Sequence, residues 1–93
     1  MDLAISDDAA RGRLQTIVDG QHCVLDYRVD GGVLAIVHTG VPSQVGGRGI
    51  AAALVQRAFE IARARKLKVD PVCAYAAVWL RRHPQFAQMA VGG

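Results

Sequence analysis

The alternation of apolar and polar positions predicts strands in the first half of the chain. Strand patterns occupy residues 13–18, 21–29 and 33–38. Asp19-Gly20 is typical of a two-residue hairpin turn, and Asp30-Gly31-Gly32 marks a second turn. The middle strand has one predicted apolar face, made of Cys23, Leu25, Tyr27 and Val29. The last strand is aliphatic enough to be buried on both faces, and tight turns between three strands predict an antiparallel meander.

The second half of the chain predicts helices separated by one strand. A loop is expected over residues 39–49, because Pro42 ends regular ladder pairing. The elements expected after it are a helix at 50–66, a short strand at 68–73, a helix at 74–83 and a last turn at 86–89. A strand-helix-strand unit is a crossover that sets its two strands parallel and near one another. We therefore predict an α+β (α/β) fold with a mixed sheet and helices packed on it.

Composition limits the class of protein. The chain has 93 residues, 52% of them hydrophobic and 20% charged, which suits a single globular domain over residues 1–93. No apolar run is long enough to span a membrane, and the first ten residues are too polar for a signal peptide. Two cysteines are too few for a disulfide framework, so we expect a cytoplasmic protein.

Charge is distributed unevenly along the chain. Residues 1–44 carry three arginines against six aspartates, a net charge of −3. Residues 45–93 carry eight lysines and arginines against two acidic residues, a net charge of +6. An anionic ligand at the start of the second half would meet a favourable field. A nucleic-acid surface is poorly supported, because aromatic residues make up only 5% of the chain and are not interleaved with the basic ones.

The glycine-rich stretch at 44–49, directly before the first helix, has the composition of a phosphate-binding loop. It is not an NTPase loop, because no Lys-Ser or Lys-Thr pair follows it. Residues 47–52 match the dinucleotide pattern Gly-x-Gly-x-x-Gly/Ala, but three antiparallel strands before the loop do not suit that fold. Gln44, Gly47 and Gly49 also match a third pattern, Gln/Arg-x-x-Gly-x-Gly/Ala.

Four motifs around this loop resemble one family. They are Thr-x-Val-Pro at 39–42, Gly-x-Gly-Ile-Ala at 47–51, Pro-x-Cys-x-Tyr at 71–75 and Arg-His-Pro at 82–84. In this order they resemble very small single-domain members of the GNAT superfamily of N-acetyltransferases. The resemblance runs from about Leu14 to Met89. One position departs from the pattern, since Gly40 stands where the group often has an acidic residue that could bind substrate or remove a proton.

The resemblance implies a site for acetyl-CoA or coenzyme A. The loop amides would hold its pyrophosphate, and the strands on either side would splay so that pantetheine pairs with an exposed strand edge. The cofactor-binding residues implied are Val41, Gln44, Val45, Gly46, Gly47, Arg48, Gly49, Ile50, Ala51 and His83. Arg48 would add a cation. His83, beside Arg81 and Arg82, would meet the nucleotide end of CoA or simply cap its helix.

The implied activity is acetyl transfer from acetyl-CoA to an unidentified amine, with Cys73 and Tyr75 as catalytic residues. Cys73 could be a nucleophile or a small apolar core residue. Tyr75 could protonate the leaving thiolate or pack at the edge of the core. His38 could lie near the acceptor amine or be an ordinary strand-end histidine. The alternative function is a module that binds CoA without efficient catalysis. We expect no metal site, and a monomer or a weak homodimer.

Overall fold

Five strands form one mixed sheet in sequence order. The computed structural model describes residues 3–92. Its elements are β1 (Ser6–Asp8), β2 (Arg13–Val18), β3 (Gln21–Asp30), β4 (Val33–Gly40), α1 (Ile50–Ala64), β5 (Lys68–Pro71) and α2 (Ala74–Arg81). Short 3-10 helices cover Ser43–Val45 and Pro84–Met89. The predicted order of strands and helices is therefore confirmed from β2 onward.

The meander has four strands where the sequence predicted three. β1 pairs antiparallel with β2, with Ser6 opposite Gln15 and Asp8 opposite Arg13. Its polar residues carry no alternation signal, so backbone pairing and tertiary contact hold it in place. The Tyr27 hydroxyl donates to the Asp7 carboxylate at 2.5 Å. The polar segment Ser6–Asp8 is thus an ordered edge strand of the sheet.

The crossover prediction is confirmed, because α1 connects β4 to a parallel, adjacent β5. Several boundaries differ from the predicted ones. β4 runs two residues further, to Gly40, so the loop after it begins at Val41. α1 ends two residues earlier than predicted, since Lys66 adopts φ +60° and leaves the helix. α2 likewise ends at Arg81 and β5 at Pro71.

Both helices cover the same face of the sheet. Phe59 of α1 contacts Trp79 of α2, with ring centroids 5.2 Å apart, and Phe86 packs on both rings. β4 therefore buries Leu34 and Ile36 but leaves its other face partly exposed, so the prediction of burial on both faces is wrong. The predicted apolar face of β3 is buried at three positions, while Val29 lies beyond the helices and is 40% exposed.

The pairing between β4 and β5 ends near the middle of β4. The last paired residues are Ile36 and Pro71, and the Cys73 amide then donates to the Ile36 carbonyl at 2.8 Å. The Val72 amide donates to the Asp70 carbonyl at 3.0 Å, a tight turn around Pro71 that ends the strand. A register shift against β3 occurs where Ile36 gives way to His38. The end of β4, residues 37–40, has no partner in β5.

Candidate functional site

The glycine loop presents a row of free backbone amides at the start of α1. The Gly46 amide donates to the Ser43 carbonyl at 3.2 Å, and the next amide with a backbone acceptor is that of Ala53, which donates to the Gly49 carbonyl at 3.0 Å. Within residues 3–92, none of the amides of residues 47–52 has a hydrogen-bond acceptor. Free amides at a helix N-terminus, together with the helix dipole, favour an anionic group. No acidic side chain in the first turn of α1 competes for them.

Two glycines shape this row. Gly47 has φ +77° and Gly49 has φ +79°, a conformation that residues with a side chain rarely adopt. A Cβ added at either glycine would meet no atom within 4 Å. The glycines are therefore required by the backbone conformation, and the space beside them is open to a ligand.

The remaining loop positions divide into anchors and exposed residues. Val45 and Ile50 are each only 1% exposed, so their side chains fix the loop to the core. Val41 packs against that core as well. Gln44 and Gly46 are exposed, and Ala51 is half-buried. Among the implied cofactor-binding residues, the two anchors can offer a ligand only their backbone.

Arg48 has a partner that the sequence did not indicate. Its Nη1 atom lies 2.6 Å from Oδ2 of Asp19, in the turn between β2 and β3. Both side chains are substantially exposed, at 43% for Arg48 and 66% for Asp19. The cation expected at the loop is thus present and tied to the neighbouring hairpin.

Cys73 lies between the end of β5 and the start of α2, on the β5 side of the gap between β4 and β5. It is the N-cap residue of α2, half-buried, and its Sγ atom is 3.6 Å from Oγ1 of Thr39. Its sulfur closes no cap hydrogen bond of regular geometry. Burial raises the pKa of the thiol, but weak hydrogen bonding from the backbone of Ala76, and then from Thr39 and the backbone of Tyr75, outweighs it. The net pKa of Cys73 lies below its usual value, which favours the reactive thiolate.

Tyr75 is the second residue of α2, two positions after Cys73, and it is 42% exposed. Its neighbours Val72 and Val78 are exposed too, at 60% and 38%. The ring is therefore at the surface, in contact with solvent rather than buried in the core.

The comparisons with known proteins agree with this architecture. The family model for GCN5-related N-acetyltransferases matches residues 13–89. A solution structure of a GCN5-like candidate N-acetyltransferase from Staphylococcus aureus superposes with a TM-score of 0.74 at 26% sequence identity. That match covers 95% of this chain and 87% of the other.

The chain belongs to the GCN5-related N-acetyltransferase family. Membership confirms the GNAT resemblance and the α+β fold with a five-stranded mixed sheet. It also decides between the two phosphate-binding patterns that the loop matches, because a dinucleotide-binding domain would need a different fold.

Two further residues can be placed within the GNAT fold. A Cβ built on Gly40 would lie 3.1 Å from Nε2 of His38, so the imidazole covers the space that a side chain at this position would enter. His83 lies beyond the C-terminal end of α2, the opposite end from Cys73. Its ring stacks on Trp79 at 3.9 Å, and its Nδ1 atom is 2.7 Å from the Trp79 carbonyl oxygen.

The structure thus gathers the loop residues at the start of α1, and it places Cys73 at the N-cap and Tyr75 in the first turn of α2. It places His83 with the aromatic core, as part of a helix end. Sequence reasoning missed Thr39 and Asp19 as contacts of the site. Thr39 was visible only as a motif residue, and Asp19 only as a turn residue, so neither carried a signal of its partner.

Two further features, a membrane-spanning helix and a metal-ligand cluster, are absent from the described part of the chain. No helix in residues 3–92 is long and apolar enough to cross a membrane. Over the same residues, no three His, Cys, Asp or Glu side chains are grouped as metal ligands would be.

Proposed function

We propose that this GNAT protein transfers an acetyl group from acetyl-CoA to an amine. The observation that carries the proposal is the row of unpaired amides at residues 47–52, which lies in a domain of the acetyltransferase family. A pyrophosphate suits this row because it brings several acceptor oxygens and negative charge to a helix N-terminus. The open space at Gly47 and Gly49 leaves room for it.

The chain's own residues divide the work of binding. Backbone amides from Gly47 to Ala52 hold the phosphates, since the Gly46 amide already donates to the Ser43 carbonyl oxygen, and Arg48 supplies positive charge. Val41 and Gln44 line the approach to the loop, and Val45 and Ile50 keep it in place. The end of β4 that has no partner in β5, residues 37–40, offers backbone groups on that edge to an extended ligand. His83 is the residue that the family resemblance implies for contact with the nucleotide end of CoA.

Acetyl-CoA supplies an activated acetyl thioester. We propose that the Cys73 thiolate attacks the thioester carbonyl carbon, forming a new carbon–sulfur bond while the CoA thiolate leaves. The Tyr75 hydroxyl donates a proton to that leaving thiolate. A neutral amine then attacks the acetyl group on Cys73, the Cys73 thiolate leaves, and the ammonium proton passes to water or to the tyrosinate. The lowered pKa of Cys73 supports this role for the thiol.

The acceptor side of the site is open. Tight turns join β1 to β4, with no helix between these strands, and the face of the sheet opposite the helices is uncovered. Such a surface suits a macromolecular amine or a flexible polyamine better than a small enclosed substrate. We place the reaction in the cytoplasm, where a free thiol such as Cys73 stays reduced.

Calorimetric titration with acetyl-CoA, CoA and NADH tests the binding step. We expect acetyl-CoA and CoA to bind and NADH not to bind. Gly47→Ala should weaken binding about fivefold or more, because φ +77° is strained by about 1 kcal/mol for alanine and the added methyl group enters the space left for the phosphates. Gly32→Ala is the matched control, since Gly32 has φ +79°, equally open surroundings and a place in the distant turn between β3 and β4. Equal loss of binding in both variants would show a general folding defect instead.

Release of free CoA thiol in the presence of a panel of amines tests the transfer step. Wild type should release thiol in an amine-dependent way, and Cys73→Ala should bind CoA normally but release none. Normal turnover by Cys73→Ala would remove the covalent route and return Cys73 to a packing role. Tight CoA binding by wild type with no amine-dependent release would identify a CoA-binding module.

A further inference from the structure

The Arg48–Asp19 ion pair connects the glycine loop before α1 to the hairpin turn between β2 and β3. Asp19 has φ +50° and Gly20 φ +74°, a two-residue hairpin turn held by the pairing of Val18 with Gln21. Arg48 stands between two glycines in an exposed loop. The paired strands of the hairpin therefore hold the guanidinium of a residue that lies in an exposed loop between the buried anchors Val45 and Ile50.

This pair contributes little to the stability of the fold. Exposed ion pairs are largely screened by water and lose side-chain entropy when they form. Both partners here are well exposed, and the contact uses a single nitrogen of the guanidinium, Nη1. Its effect is therefore expected in the behaviour of the loop rather than in the folding equilibrium.

The guanidinium keeps most of its donors for a ligand. An arginine has five N–H donors, and in residues 3–92 the only acceptor for Arg48 is Asp19. A side chain that is already ordered loses less entropy when a ligand binds to it. An anion at the loop can thus use the remaining donors without displacing the aspartate.

We propose that Asp19 is a positioning residue of the CoA site: it holds Arg48 in place for the pyrophosphate. The inference rests on the proposed function, because it assumes that CoA binds at the glycine loop. The negative charge of Asp19 acts in the opposite direction by repelling a phosphate. The proposal states that the ordering of Arg48 outweighs this repulsion.

Asp19→Asn tests the proposal without disturbing the turn, because asparagine also tolerates a left-handed backbone. The dissociation constant for CoA should rise about two- to fivefold, the factor that corresponds to an exposed ion pair. Asp30→Asn, at the end of β3, makes the same charge change elsewhere and should leave the dissociation constant unchanged. The melting temperatures of both variants should match that of wild type.

A double-mutant cycle gives the decisive comparison. Arg48→Gln should weaken CoA binding, and Asp19→Asn should leave the dissociation constant unchanged or slightly lower in the Arg48→Gln background, where only the repulsion between Asp19 and the phosphate remains. Heteronuclear NMR of the Arg48 Nε–H group should show greater mobility in free Asp19→Asn than in free wild type, a change that a purely structural role of Asp19 would not produce.

The outcomes separate the two proposals. Tighter or unchanged CoA binding by Asp19→Asn overturns the positioning role while leaving the proposed function intact. An equal effect of Asp19→Asn with and without Arg48 also overturns it, since the effect would not pass through the arginine. If wild type does not bind CoA at all, the proposed function fails, and the positioning role fails with it.

Discussion

Thr39 and Cys73 meet across the gap where β4 runs on past β5, with 3.6 Å between Oγ1 and Sγ. This contact joins the end of β4, which has no partner in β5, to the start of α2. It brings a hydroxyl to a thiol that the backbone of Ala76 already influences. The ionisation of Cys73 therefore depends on the width of the gap.

Thr39→Val should raise the pKa of Cys73, because the hydroxyl favours the thiolate and a methyl group cannot. The rate of alkylation by iodoacetamide, measured against pH, should shift towards higher pH in the variant. Thr39→Ser keeps the hydroxyl and serves as the control. An alkylation profile that is identical in Thr39→Val and wild type would mean that the hydroxyl does not reach the thiolate.

Tyr75→Phe should slow thiol release by about 10²-fold at saturating acetyl-CoA, the size typical of losing a general acid. CoA affinity should stay the same, because the hydroxyl is not assigned to binding. A change in KM alone, with kcat preserved, would contradict the proton-donor role.

Gly12→Ala should destabilise the fold by roughly 3 kcal/mol, through backbone strain and steric clash. Gly12 has φ +68°, and an added Cβ would lie 2.2 Å from the carbonyl oxygen of Tyr27. Gly20→Ala has a similar φ of +74° with nothing within 4 Å, so it isolates the strain and should cost only about 1 kcal/mol. Urea denaturation of the two variants measures the difference, and equal losses would show that the contact with Tyr27 relaxes freely.

Tyr27 should make the fold sensitive to alkaline pH. Burial, and then the hydrogen bond to Asp7, raise the pKa of Tyr27 from its ordinary value of 10.0 to about 12. The unfolded chain therefore loses this proton before the native protein does. The stabilisation is complete below pH 10 and is lost as the pH rises from 10 towards 12, by at most about 3 kcal/mol.

Urea denaturation at pH 9, 10 and 11 measures this loss. Cys23 is also buried, and burial raises the pKa of its thiol, so wild type alone does not isolate the tyrosine. Tyr27→Phe removes the phenol and should flatten the decline of stability above pH 10. Parallel declines in the two proteins would assign the alkaline sensitivity to other groups.

The sequence predicted the elements that local chemistry determines. Asp19-Gly20 specifies a hairpin turn wherever it occurs in such a context, and a glycine loop followed by an apolar stripe specifies the start of α1. The parallel placement of β5 follows from the length of the crossover. These features depend on neighbours within a few residues, so one sequence was enough to find them.

The features that were missed depend on distant neighbours. β1 is polar, and its position depends on Asp7 reaching Tyr27, 20 positions away. Arg48 and Asp19 are separated by 29 positions, and Thr39 and Cys73 by 34. Burial of β4 on one face was also invisible, because an aliphatic run does not show on which side the helices will pack.

The turn at Pro71 has a consequence for the speed of ligand capture. Because this turn and the start of α2 end β5, the free protein already has its strands apart and need not break a ladder to admit an extended chain. Association should then proceed in a single concentration-dependent phase, with no slower isomerisation step. Backbone amide resonances of residues 37–40 should move on binding without any exchange broadening in the free state.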